Sequence, residues 1–375
     1  MIIVVSKAYK FRIVPTKEQE VLINRTFGSC RYVFNHFLDM WNNEYKATGK
    51  GLSYKSCSAE LPGMKVELPW LKEVDSIALQ TSVRHLSDSF NRFFKKQSNP
   101  PRFKSRKNPV QSYTTKYTNG NISIIGKKVK LPKLGLVKIR LSRKVGGRII
   151  NATISRNSCG KYYISILSEE EIKPLAKSNS SVGIDLGLKE YATLSDGEKH
   201  PALKIYSKLQ SRLATQQRSL SRKVKGSVNY GKQRLKVAKI HEKIKKKRTD
   251  YLHKLSTDII KSHDTICIEE LSVKDMMQDS QLSKTIADAS WSKFVSYLSY
   301  KGEWYGKEIV KIGKYFPSSQ LCSSCAHRNA KLKDLSVRSW KCPQCGAFHD
   351  RDINASINIL NEGVRLQTAG TAGIA

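Results

Sequence analysis

Acid is what this chain has least of for its size: 31 Asp and Glu stand against 67 Lys and Arg in 375 residues, a formal charge of +36 at neutral pH. A folded protein with that excess repels itself unless something anionic neutralises it. Nucleic acid is the usual partner, because every phosphate contact releases counterions. A membrane-surface protein or a ribosomal-type binder is the plainer alternative. Long apolar runs are missing too. With no stretch of about 18 apolar residues, no transmembrane helix and no membrane partner are expected. The opening Met1-Ile-Ile-Val-Val5 leads straight into a basic alternating segment, unlike a secretory signal. Four of the eight cysteines (Cys30, Cys57, Cys159 and Cys267) are scattered singly, so a disulfide framework is not expected and a reducing, cytoplasmic setting is. No long internal repeat occurs.

What is present suffices for two or three domains with real cores. Lys7, Tyr9, Phe11 and Ile13 alternate with Ser6, Lys10 and Arg12, which reads as a strand over 5–14. Thr16, with Gln19 three positions on, has the form of a capping box. Cys30, Val33, Phe34, Phe37, Leu38 and Trp41 then mark one apolar helical face, and a second helix is expected over 77–94. Asn99-Pro100-Pro101 breaks the pattern. From there to about residue 168 the chain reads as strands, with Lys138 and Arg140 alternating against apolar neighbours. Such a sheet can present phosphates with a basic face, and an ordinary half-solvated sheet fits equally well. After a polar linker at 173–181, short apolar strands are expected at 182–185, 191–194, 265–269 and 309–312, and helices at 291–305 and 352–360. Between Lys204 and Lys254 lie 17 Lys and Arg but only two acids, Glu242 and Asp250. Gly226-Ser227 marks a turn between two helices there. A charge run is commonly a solvated face, but this one is too one-sided for mutual ion pairing.

Cys322-x-x-Cys325, sixteen intervening residues, and Cys342-x-x-Cys345 match the four-thiolate zinc pattern. Each pair bends the backbone so that both sulfurs face one Zn2+, and four thiolates leave no open position, so the ion is structural. Free or redox-active thiols are the alternative. The acids carry a subtler signal. Asp185 and Glu269 each end an apolar strand and Asp352 opens a helix. Three carboxylates from separate elements are what a two-magnesium phosphodiester-cleaving site needs, with metals about 3.5–4 Å apart. Each acid alone fits a turn or cap residue just as well.

Gly183-Ile-Asp185-Leu-Gly187, Ile268-Glu269-Glu270-Leu271 and His349-Asp-Arg-Asp352-Ile-Asn-Ala355, with the cysteine ribbon between the last two, resemble the TnpB family of RuvC-like nucleases. Phe11–Thr16, Gly28–Asn35, Pro101–Lys104, Gly226-Ser227 and Tyr315–Gln320 add to the resemblance, which spans roughly residues 5–362. It implies an α/β multidomain protein: an RNase H-like (RuvC) nuclease domain at 178–318 and 348–364, an inserted zinc ribbon at 319–347, and a β-barrel-like wedge at 1–15 and 96–172. A helical recognition insertion at 16–95 and a disordered tail at 365–375 complete it. It further implies a transposon-encoded, RNA-guided DNA endonuclease in a prokaryote, associated with the nucleoid. Its partners would be a guide RNA from the transposon end, double-stranded target DNA and a transposase of the same element. Guide–target pairing would supply most of the specificity.

Asp185, Glu269 and Asp352 are the catalytic residues the resemblance implies, holding two Mg2+ ions for which Mn2+ can substitute; Asp350 is the competing acid in the third motif. Tyr9, Arg12, Arg102, Lys104, Arg222, Lys223, Lys232 and Arg248 are the expected nucleic-acid contacts. Ala326 stands where the family commonly has Gly, which predicts a slightly different backbone in that knuckle. Two other functions stay open, an RNA-guided DNA-binding regulator without cleavage and a transposase acting without RNA, as does a zinc-ribbon RNA binder with incidental acids. Cys30 and Cys267 read as core residues, and His327 and His349 as solvated or outer-shell neighbours of the ribbon.

Overall fold

The computed structural model describes residues 2–202, 205–279, 282–334 and 336–372. The chain divides into two compact units, residues 4–171 and the part from 172 onward.

In the first unit, strand β1 (Ile3–Val14) buries Tyr9, Phe11 and Ile13 on one face, as its alternation dictates. Helix α1 (Lys17–Thr48) follows. Thr16 caps it, with Gln19 N–H donating to Thr16 Oγ1 at 3.3 Å and Thr16 N–H to Gln19 Oε1 at 3.0 Å. Gln19 Nε2 also donates to the carbonyls of Leu134 and Leu136, so one side chain both caps the helix and ties it to the sheet. Helix α2 (Tyr54–Glu67) is one the sequence reading did not contain. Only Cys57, Leu61 and Met64 on it are buried, and Pro62 interrupts the pattern. Helix α3 (Ser76–Phe94) packs Leu79, Val83, Leu86 and Phe90 inward, and Asp75 caps its start.

The rest of the unit is β2 (Gln111–Lys116), β3 (Ser123–Ile125), β4 (Lys128–Leu131), β5 (Gly135–Arg140), β6 (Arg148–Arg156) and β7 (Tyr162–Ile172). With β1 they form one seven-stranded sheet in the order β2-β6-β7-β1-β5-β4-β3. Its outer strands, β2 and β3, do not pair with each other, so among the described residues the expected barrel is an open sheet. Closure needs edge strands that continue each other's ladder, and β3 has only three residues to offer.

The second unit holds a five-stranded mixed sheet of β8 (Ser181–Asp185), β9 (Glu190–Leu194), β10 (Lys199–Pro201), β11 (Thr265–Glu269) and β12 (Glu308–Ile312). Its order is β10-β9-β8-β11-β12. The first three strands are antiparallel and β8, β11 and β12 run parallel. That is the order of an RNase H-like sheet. The central strands β8 and β11 are apolar runs because both faces are covered, whereas the edge strand β12 carries exposed Glu308 and Lys311. A hairpin of α4 (Ile205–Ser221) and α5 (Val228–Ser262) connects β10 to β11, with Ser227 capping the second helix. Short helices α6 (Val273–Met276) and α7 (Ser283–Ala289) lead to α8 (Trp291–Tyr305), whose Trp291, Phe294 and Leu298 enter the sheet's core. The cysteine segment carries β13 (Ser339–Lys341) paired to β14 (Phe348–Asp350).

Helix α9 (Arg351–Ala372) closes the unit. The tail expected to be disordered from residue 365 is helical as far as Ala372, because Leu366 packs with Ile359 and Cys267; residues 373–375 lie outside the described residues. Two glycines let α9 lie directly on the sheet. A Cβ on Gly183 would come 2.0 Å from the Ser356 carbonyl oxygen, and one on Gly363 would come 2.2 Å from Cys267 Sγ. Among the described residues no helix is long and apolar enough to cross a membrane.

Candidate functional site

Register places the first two acids. β8 and β11 are parallel neighbours, Ile184 stands opposite Ile268, and Asp185 and Glu269 are the next residue on each. In a parallel pair such residues point to the same side of the sheet, with strands about 4.8 Å apart. Asp352 arrives from the first turn of α9, which crosses β8 at Ser356, one turn further along the helix. Burial, and then the negative charges of Glu269 and Asp352, push the Asp185 carboxyl up to about 8 against the pull of Arg351 and Arg338. Burial raises Glu269 as well, opposed by a hydrogen bond from the Ser318 hydroxyl to Glu269 Oε1. Arg338 Nη1 lies 3.6 Å from Asp352 Oδ1. Asp185 thus senses both other acids, and oxygen donors of this kind suit a hard divalent cation such as Mg2+.

Asp350 is engaged differently. Its Oδ1 accepts from the backbone N–H groups of Asp352 and Ile353, each at 3.1 Å, which makes it the N-terminal cap of α9. Its other oxygen pairs with Lys199 at 2.7 Å. Burial works to raise its carboxyl, but Lys199 and those amides hold it below the ordinary range.

The four cysteines form a tighter group. Ligand atoms of Cys322, Cys325, Cys342 and Cys345 all lie within 4.8 Å of one another, and the cluster can hold one zinc ion. No grouping of that kind includes the three carboxylates among the described residues. Each pair is bent by the same turn: Ala326 N–H donates to the Cys322 carbonyl at 2.8 Å and Gly346 N–H to that of Cys342 at 2.9 Å. Ala326 has φ 59° and Gly346 φ 74°. The alanine therefore takes the left-handed backbone that glycine adopts freely, as Gly346 does in the second knuckle. His349 is buried with Nε2 3.0 Å from Cys322 Sγ, an outer partner of the cluster.

The expected nucleic-acid residues separate into two groups. Arg102, Arg222, Lys223 and Lys232 are exposed. Arg12 stands opposite Arg140 across β1 and β5, and its buried Nε has no hydrogen-bond partner among the described residues. Two like charges in register repel. Lys104 is anchored, its ammonium 3.7 Å from the centre of the Phe34 ring and its backbone held on both sides by Asn35. Tyr9, by contrast, is 4% exposed and belongs to the core. Arg248 bonds Asp288 at 2.6 Å and Ser290 at 3.1 Å, fastening α5 to the start of α8.

Sequence reasoning missed Ser318, Asn354, Asn358, Arg338 and Lys199. Tyr315–Gln320 and the Asn in the third acidic motif lay inside matched segments, and that was their only signal.

A family model described as "Probable transposase" matches residues 164–280, and one described as "Cas12f1-like, TNB domain" matches 291–359. A third, "Helix-turn-helix domain", matches 1–50, where the structure has one strand and one long helix. The chain is 40% identical over 371 residues to a "Putative RNA-guided DNA endonuclease" of Streptomyces pristinaespiralis, covering 98% of this chain and 91% of that one. It is 36% identical over 383 residues to the "Putative RNA-guided DNA endonuclease InsQ" of Escherichia coli K12, covering 97% and 94%. A solved Cas12f1–sgRNA–target DNA complex superposes on 96% of this chain and 99% of its own, at TM-score 0.61 and 13% identity. At that identity the likeness is one of fold.

Proposed function

Since the chain belongs to the TnpB family of transposon-encoded, RNA-guided DNA endonucleases, we propose that it binds a guide RNA from the transposon end and cleaves matched double-stranded DNA by metal-dependent hydrolysis. The observation that carries this reading is the register of β8 and β11, which sets Asp185 beside Glu269 at the strand ends toward which α9 brings Asp352. In this reading the three carboxylates hold two Mg2+ ions, or Mn2+ in their place. When bound, the ions supply an activated water and a counter-charge for the leaving oxygen. The chain's own residues set where the phosphate lies, keep Asp350 out of the ligand set and offset negative charge with Arg338 and Arg351.

The remaining assignments follow the same reading. Residues 1–15 and 96–172 act as wedge, 16–95 as recognition helices, 178–318 and 348–364 as nuclease, and 319–347 as a structural Zn2+ ribbon. Arg12, Arg102, Lys104, Arg222, Lys223 and Lys232 meet phosphates of guide or target. The protein works in the cytoplasm on nucleoid DNA, beside a transposase of the same element.

Expressing the protein with its native flanking DNA and sequencing the co-purifying RNA tests this. The complex is then offered a matched target flanked by randomised bases, with Mg2+ and with chelator. Cleavage should require both RNA and metal and vanish in Asp185→Ala and Glu269→Ala. Cutting without RNA, or none beside any flank, overturns the reading.

A further inference from the structure

Ser318 lies between β12 and the first cysteine pair and is 6% exposed. Its hydroxyl donates to Glu269 Oε1, and its carbonyl accepts from Asn358 Nδ2 on α9 at 2.8 Å. Asn358 also donates to the Leu321 carbonyl at 2.8 Å. Asn354, one turn earlier, donates to the same carbonyl at 2.7 Å and accepts from Ser323 N–H at 2.8 Å. Both asparagines are buried, at 1% and 5% exposure. The segment 318–323 is thus fastened to α9 by these four bonds, and one of its side chains grips the carboxylate at the end of β11.

The chemistry of each group narrows what the grip does. A glutamate has three rotatable side-chain bonds, so a strand end fixes its Cα but not its oxygens. A serine hydroxyl has one proton to give, and here it is given to Oε1, which fixes the carboxylate plane while leaving lone pairs on both oxygens for a cation. Groups that orient metal ligands typically change metal affinity by about 10–100-fold when removed.

We propose that Ser318 is a positioning residue for Glu269, holding its carboxylate in the orientation that binds a divalent cation, with Asn354 and Asn358 keeping Ser318 in register with the helix that carries Asp352. This inference rests on Glu269 being a metal ligand. A purely structural serine would lower stability on removal without changing metal affinity in a folded protein.

The test compares wild type, Ser318→Ala, Ser318→Thr and Glu269→Ala as full-length chains. Mn2+ binding is followed by electron paramagnetic resonance, with no cleavage needed, and the Mg2+ dependence of cleavage is measured on guide-loaded protein. Ser318→Ala should melt close to wild type, bind Mn2+ about 10–100-fold more weakly, and need correspondingly more Mg2+. Ser318→Thr, which keeps the hydroxyl, should restore both. Unchanged metal dependence in folded Ser318→Ala overturns the proposal, as does failure of Ser318→Thr to restore it while folded. If Ser318→Ala does not fold, Ser318→Cys makes the same comparison with a much weaker donor, and wild-type metal dependence there is equally decisive against it. Full cleavage by Glu269→Ala would instead sink the nuclease site itself, whereas an inactive Glu269→Ala beside a wild-type-like Ser318→Ala sinks only the positioning role.

Discussion

The cysteine ribbon and the carboxylate site lie in one unit, yet they are prepared for metal in opposite ways. The four sulfurs already lie within 4.8 Å of one another, because each pair is only three positions apart and each knuckle is closed by its own backbone hydrogen bond. The three carboxylates come from segments more than eighty positions apart and repel as they approach; burial first, and then that repulsion, keeps the proton on Asp185 up to about 8. A local site can be complete before its ion arrives. A distant, charged one needs the ion to finish it.

Several substitutions should separate the two sites. The largest effect falls on chemistry: Asp185→Ala should cut the cleavage rate by on the order of a thousandfold or more, while zinc content, read by elemental analysis, stays at one ion per chain. Loss of zinc in that variant would mean the sites are not independent. Cys342→Ser should do the reverse, releasing zinc and lowering the melting temperature, since binding energy at a structural zinc site is folding energy. Unchanged melting would make the ribbon dispensable.

A smaller effect concerns pH. Asp185 titrates at about 8 when folded and at about 3.9 in an unfolded chain. Between these values the folded state holds a proton that the unfolded state lacks, so this group's contribution to stability falls as pH rises. In chelator, melting temperature should therefore decline from about pH 4 to about pH 8 more steeply than in Asp185→Asn, and added Mg2+ should flatten the wild-type curve. Identical slopes in the two chelated proteins would remove the basis for a strained carboxylate site. Smallest of all, Ala326→Gly should raise ribbon stability by about 1 kcal/mol, because a left-handed alanine costs about that much. A drop on chemical denaturation would show that the knuckle is not strained.

Legibility in the sequence followed range. The Thr16–Gln19 cap, the apolar faces of α1 and α3, the turn at Gly226-Ser227 and both cysteine pairs are patterns within a few residues, and the structure has them. Helix α2 was missed because three buried residues and an internal proline leave little periodicity. The helical end of α9 was missed because Leu366 is held by residues from β11 and the same helix, a contact that composition does not announce. The surroundings of Tyr9 and Arg248 were out of reach for a related reason. Charge and aromaticity are visible in a sequence, but whether a side chain is already spent on Asp288 or on a core is not.

The sequence by itself determined the partner class through its charge, the zinc site through its spacing, and the strand-ending positions of Asp185 and Glu269. Only the tertiary structure decided that β8 and β11 are neighbours in a register that pairs those acids, that Asp350 caps a helix, and that Ser318 holds Glu269. The reason is physical. Turns, caps and knuckles are fixed by backbone preferences over a few residues, whereas the meeting of distant strands and helices is chosen by packing, here the close approach of α9 that Gly183 and Gly363 allow.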